Sequence, residues 1–101
     1  MIQLVASLTV NPDEPEALRT YFDVAMGLIE DVGAKLSQKI EYGDPVIGDK
    51  PFEMVMLVDY PNYEAVRKVF HSEAYQAIIP ERDKAFLKYN ICLVQTNDLK
   101  M

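Results

Sequence analysis

The stretch that decides the fold is Pro61-Asn62-Tyr63-Glu64-Ala65-Val66-Arg67-Lys68-Val69-Phe70-His71-Ser72-Glu73-Ala74-Tyr75-Gln76-Ala77-Ile78-Ile79-Pro80-Glu81-Arg82. Asn62 stands where a helix N-cap belongs, ahead of a run with Val66, Val69 and Phe70 on one side. Ser72 is a second N-cap, so a turn is expected between His71 and Ser72, with a further short helix after it. Pro80 removes a backbone donor and disfavours helical geometry at Ile79, so the helix should end or kink there. The same stretch carries the one His of the chain, with Tyr75 and Arg82 following it.

Upstream, Ile2 to Val10 alternates with period two, and Leu4, Ala6 and Leu8 share a side, which is a strand signal. Asn11 to Pro15 breaks it. Asp13 followed by Glu16 has the form of a capping box, and Pro15 suits a first helical turn. From Glu16 to about Val32 the period is helical, with Leu18, Phe22, Ala25, Ile29 and Val32 in one stripe and Tyr21 at its margin. Gly33 is placed to end that helix in a left-handed conformation. Ala34 to Tyr42 predicts a second strand, residues 43–51 a Gly- and Pro-punctuated loop, and Phe52 to about Asp59 a third strand. Tyr89 to Thr96 predicts the fourth, with the last five residues as a tail.

The predicted order is strand, helix, strand, strand, helix, strand. That is α+β, the ferredoxin-like βαββαβ pattern with a four-stranded antiparallel sheet. Right-handed crossovers put both helical segments on one face, with strand order 4-1-3-2. Leu4, Ala6, Leu8, Leu36, Ile40, Met54, Met56, Val58, Ile91 and Leu93 are expected on the helix-covered face. Val5, Ser7, Thr9, Val55, Leu57, Cys92 and Val94 are expected on the other, where strand two adds Lys35, Ser37, Lys39 and Glu41. No helix is left to cover this apolar patch, so a homodimer packed through Val5, Val55, Leu57, Cys92 and Val94 is expected.

Residues 1–101 amount to one domain, small enough that a partner subunit would add useful burial. A net charge of −6 argues against nucleic acid, which needs clustered Lys and Arg, and against an anionic membrane surface. One Cys forbids an intrachain disulfide, no apolar run approaches a membrane span, and no signal-peptide pattern opens the chain; a cytoplasmic protein is expected.

The pattern resembles the dimeric α/β-barrel superfamily, and more closely a domain-of-unknown-function family numbered 1330. Three places carry the likeness: Gly33-Ala34-Lys35-Leu36 leading to Glu41-Tyr42-Gly43-Asp44, Val58 to Ala65, and Ser72 to Arg82. The third is the specific one, similar to the family's Ser-x-x-Tyr-Gln-x-(Ile/Leu)-x-Pro-x-Arg at Ser72, Tyr75, Gln76, Pro80 and Arg82. Glu73 and Ala74 depart from the Pro and Glu that family members often carry. The resemblance implies two protomers joined sheet to sheet. In the superfamily's enzymes it implies a pocket between sheet and helices. The superfamily spans cofactor-independent monooxygenases, haem-degrading enzymes, lactone isomerases and proteins with no known catalysis.

The candidate catalytic residues are His71, Tyr75 and Arg82. His71 ends a helix, where a cation is favoured, and could move a proton; the plainer reading is a surface cap. Tyr75 could donate to a carbonyl or enolate oxygen, or simply pack. Arg82 could clamp a carboxylate, or pair with an acid such as Asp59 or Glu73. Gln38, Tyr42, Tyr89 and Gln95 share the phase of the helix-covered face, and with Tyr21 they are the candidate ligand-binding residues. Each has a plain alternative as a satisfied core or rim residue. Cys92, in interface phase, reads as an inert thiol. One His and one Cys on opposite faces build no metal site, and no cofactor is implied.

Three functions remain open at this point. One is a small-molecule-binding protein. Another is a cofactor-independent monooxygenase or isomerase-like enzyme. The third is a non-catalytic dimerising module whose sheet-face patch and loop 43–51, where Val46 and Ile47 are apolar, engage another protein.

Overall fold

The structure, a computed structural model, describes residues 1–95. Strand β1 runs Ile2–Val10, helix α1 Pro15–Asp31, β2 Lys35–Glu41 and β3 Met54–Tyr60. Three short helices follow, α2 Tyr63–Phe70, α3 Glu73–Ala77 and α4 Ile79–Ala85, and β4 runs Phe86–Leu93. The antiparallel sheet has the order β2-β3-β1-β4, which is the expected order read from its other edge. The chain is α+β and ferredoxin-like, and its sheet is open, not closed into a barrel.

Local chemistry explains the element ends. Asn62 Oδ1 accepts from the Ala65 amide at 2.9 Å and caps α2. Ser72 Oγ accepts from the Tyr75 amide at 3.1 Å and donates to the Val69 carbonyl at 2.7 Å, so one side chain starts α3 and closes α2. Gly33 takes φ +79°, its amide reaches the Glu30 carbonyl and the Ala34 amide the Ile29 carbonyl. That pair of bonds is a Schellman stop for α1. The capping box expected at Asp13 and Glu16 is absent. The Asn11 side chain instead accepts from the Asp13 amide, and its carbonyl from the Glu14 amide, turning the chain into Pro15. The helix ends ahead of Pro80 as expected, α3 stopping at Ala77 with Ile78 as its C-cap. The unexpected part is that a further helix, α4, restarts at Ile79 with Pro80 in its first turn, where the missing N–H costs nothing.

The helices lie on one face. Leu4, Leu8 and Val58 of the sheet pack there with Ala17, Tyr21, Ala25, Val69, Tyr75, Ile78 and Ala85. The Cα envelope is only 16 Å deep along its thinnest axis, room for two layers, so no described residue forms a layer over the second sheet face. Val5, Val55, Leu57 and Val94 are half-buried there, and Cys92 is exposed.

Strand β2 departs from its expected phase. Leu36 pairs with Val58, but Gln38 pairs with Leu57, so Ser37 is an extra residue in the ladder. Ser37 Oγ donates to the Leu57 carbonyl at 3.2 Å and accepts from Gln3 Nε2 at 3.4 Å. Beyond this bulge the faces exchange: Ile40 pairs with Val55 on the uncovered face, while Lys39 and Glu41 pair with Met56 and Met54 on the other. Ile40 is therefore not core, and Leu36, though on the helix side, is 42% exposed. Strand β4 begins at Phe86, straight out of α4, with its own irregularity opposite Thr9 and Val10. Its expected end at Thr96, and the tail after it, lie outside the described residues.

Candidate ligand-binding site

Four elements bring four polar side chains together. Tyr21 of α1 lies 2.9 Å, oxygen to oxygen, from Tyr75 of α3 and 2.8 Å from Tyr89 of β4. Arg82 of α4 donates from Nη1 to the Tyr75 hydroxyl at 3.3 Å, and its Nη2 lies 3.5 Å from Asp83. Arg82 also stands over the Tyr75 ring, 5.9 Å from its centroid. The Ser72 cap aims Tyr75 inward. The break at Ile78 lets Tyr75 and Arg82 converge from two separate helices.

Aromatic rings hold the cluster rigid. Tyr21 meets Phe86 edge to face at 5.5 Å, Phe86 stacks on Tyr89 at 4.3 Å, and Phe70 meets Tyr75 at 4.9 Å. Burial, then the neighbouring phenols, raise Tyr21 above its ordinary value; burial likewise raises Tyr89, against the lowering effect of its bond to Tyr21. Tyr60, buried at the end of β3, is pushed up to about 12, first by burial and then by nearby Tyr75. Burial pulls Arg82 down, but its bond to Tyr75 and the adjoining Tyr75 and Asp83 outweigh this and leave it raised. At neutral pH Tyr21 and Tyr89 are thus neutral hydroxyls near the Arg82 cation.

The cluster forms one wall of a cleft of about 700 Å³ between β1, β4 and the helices α2 to α4. Tyr63, Tyr75, Arg82, Asp83 and Tyr89 supply its polar groups; Leu4, Val66, Phe70, Phe86, Ile91 and Leu93 supply the apolar surface. Tyr21 stands behind this wall. Beyond it, a narrow apolar cavity of about 40 Å³ continues under α1, sharing Leu4, Phe70, Tyr75, Tyr89 and Ile91 with the cleft.

Of the residues singled out from sequence, Tyr21, Tyr75, Arg82 and Tyr89 meet here. His71 does not: it caps the end of α2 on the outer surface, in a shallow depression with Glu64, Arg67, Lys68 and Ser72. Gln38 is carried by the β2 bulge to the uncovered sheet face, beside Val5, Leu57 and Val94. Tyr42 is 40% exposed just past β2, and Gln95 is exposed just past β4; neither lines the cleft. Arg82 pairs with Asp83 rather than with Asp59 or Glu73. Sequence reasoning missed Asp83, Tyr63, Phe86 and buried Tyr60. The apolar run after Ala85, with no turn residue before it, was the available signal for Phe86.

Among the described residues no cluster of His, Cys, Asp and Glu could hold a metal ion, and no helix is long and apolar enough to cross a membrane.

This ferredoxin-like α+β architecture recurs in known structures. A protein of unknown function from Rhodopseudomonas palustris, RPA0582, superposes with a TM-score of 0.80 at 18% identity, covering 97% of this chain and 83% of that one. A NIPSNAP domain protein from Burkholderia xenovorans gives 0.63 at 15% identity, covering 100% and 99%. A dimeric protein of unknown function with a ferredoxin-like fold from Bacteroides fragilis gives 0.58 at 7%, covering 94% and 95%. No curated protein matches the chain. Residues 4–97 match the family model described as Domain of unknown function (DUF1330), and the chain belongs to that family.

Proposed function

We propose that this protein binds a small molecule in the cleft between its sheet and helices α2 to α4. The observation that carries the reading is the convergence of Tyr75, Arg82 and Tyr89 on an otherwise apolar cleft of about 700 Å³. A few placed polar groups on an apolar wall are what orients a small ligand. The alternative of a cofactor-independent monooxygenase or isomerase needed His71 as a proton carrier beside Tyr75. With His71 on the outer surface, binding is the better supported function.

The protein acts as a homodimer, its two uncovered sheet faces packed together. The half-buried Val5, Val55, Leu57 and Val94 support this, as does the dimeric Bacteroides fragilis structure of like fold. In such a pair both clefts face outward and stay accessible.

The test is a thermal-shift screen of a ligand library on the wild type and on Arg82→Ala. A compound that stabilises the wild type and not the variant supports the cleft. Equal shifts in both remove Arg82 from the site. The variant must first prove to be folded and of wild-type mass.

A second reading rests on Val46 and Ile47, which are 97% and 92% exposed in the loop between β2 and β3. Two adjacent apolar side chains so exposed would serve as a contact for another protein.

A further inference from the structure

The hydroxyl cluster has one proton too many. Three phenols carry three O–H protons, and the two contacts, Tyr21 to Tyr75 and Tyr21 to Tyr89, consume two of them. Arg82 donates to Tyr75 and so takes up an acceptor position, not a proton. Tyr21 is 1% exposed and flanked by the other two, so its own proton goes to one of them. The surplus therefore belongs to Tyr75 or Tyr89, and both line the cleft. Among the described residues neither hydroxyl has a further acceptor. The cleft thus offers one O–H donor backed by a polarised chain, with a guanidinium beside it.

Charge narrows the ligand further. Arg82 and Asp83 are the only charged side chains among the described residues that line the cleft, and they sit against each other at 3.5 Å. Asp83 has a side chain 67% exposed, so this pair is weak and its carboxylate is displaceable. Asp83 occupies the place on Arg82 that a ligand carboxylate would take. A dianion would meet a single cation and the nearby Asp83 charge. Apart from these, the cluster hydroxyls and the Tyr63 hydroxyl, the described wall is aliphatic and aromatic.

We infer that the ligand is a monoanionic acid with an apolar body, its single carboxylate shared between Arg82 and the surplus tyrosine proton and competing with Asp83. This rests on the cleft being a binding site, and it adds the chemical class of what binds.

A matched series tests it: phenylacetate, phenylacetamide and phenylmalonate, titrated by amide NMR into the wild type, Asp83→Asn and Tyr89→Phe. Phenylacetate is expected to perturb the cleft resonances and to bind about tenfold more tightly than the neutral amide, the gain of a charge-assisted hydrogen bond. Phenylmalonate binds more weakly than phenylacetate. Asp83→Asn, which removes the competing charge, tightens phenylacetate severalfold and changes the amide by less. Tyr89→Phe leaves two phenols, one contact and still one surplus proton, now on Tyr75 at the cleft, so the acid keeps its preference over the amide. Equal affinity for acid and amide, tighter binding of the dianion, or loss of acid binding in Asp83→Asn would overturn the inference while leaving the cleft as a site. Failure of all three probes to perturb the cleft overturns the inference as well. If the library screen then also finds nothing, the binding reading falls with it.

Discussion

Tyr21 and Tyr89 place their hydroxyl oxygens 2.8 Å apart across 68 residues of chain, joining helix α1 to the edge strand β4. The same Tyr21 oxygen holds Tyr75, so one side chain ties the N-terminal helix to both walls of the cleft. Tyr21→Phe keeps the ring and its edge-to-face contacts but removes the shared hydroxyl. Tyr75 and Tyr89 can turn to the cleft for partners, so the cost is that of about one buried hydrogen bond, roughly 1 kcal/mol. For a chain of this size that lowers the melting temperature by about 4–8 °C. A melting curve unchanged within a degree would show that the hydroxyl chain does not support the fold.

The phenols also set an alkaline limit. Tyr21, Tyr60 and Tyr89 are all held above their ordinary value in the folded chain. When folded values are raised, the folded state keeps protons that the unfolded chain releases near pH 10. Stability is intact below about pH 10 and falls as pH rises through that value toward the folded ones, Tyr60 giving way by about 12. Denaturant midpoints at pH 8, 9, 10 and 11 should hold and then drop. Absorbance at 295 nm should show part of the six-tyrosine signal appearing only as the protein unfolds. Full tyrosine ionisation near pH 10 with an unchanged midpoint would contradict this.

Much of the fold was legible because it rests on local chemistry. Asn62, Ser72 and Gly33 act through neighbours within a few residues, so their roles could be read from spacing alone. The β2 bulge could not be. It is held by Ser37 bonding to Leu57 and Gln3, contacts that exist only once three strands are aligned. One inserted residue then reversed Gln38 and Ile40. Pro80 marked the helix break correctly, but not the restart as α4, because a proline that ends one helix and one in the first turn of the next look alike in sequence. Tyr75 and Arg82 were found together for a reason other than helical spacing. They lie on different helices, and it is the junction at Ile78 that brings them into contact.

His71 gives a prediction that separates the outer surface from the cleft. It is exposed, and its backbone amide, not its ring, closes α2 onto the Arg67 carbonyl. His71→Ala should change stability by less than about 0.5 kcal/mol and leave the affinity of any cleft ligand as it was. A fall in ligand affinity with unchanged stability would return His71 to the site.

Gly33 tests the hinge between α1 and β2. No heavy atom lies within 4 Å of where a Cβ would sit, so Gly33→Ala meets no clash; its cost is the left-handed backbone at φ +79° alone. That amounts to about 1–2 kcal/mol. Chemical denaturation should show this loss with the denaturant slope preserved. A neutral result would mean that the Schellman turn relaxes without penalty.

The assembly is tested at Leu57. It pairs with Val5 on one side and Gln38 on the other, which puts it in the middle of the uncovered face. A two-fold interface uses the same patch on both copies, so Leu57→Lys brings two charges into it at once. Burying an unpaired ammonium costs more than the few apolar side chains around it can return. Wild type should scatter light as a species of twice the 11.5 kDa chain mass, with a melting temperature that rises with concentration. Leu57→Lys should run as a monomer with the helical circular dichroism of the wild type, or lose its fold where the lone chain cannot stand. Val46→Asp, in the exposed loop, should leave the mass unchanged. A wild type that is monomeric at micromolar concentration would sink the sheet-to-sheet dimer, whatever the variants do.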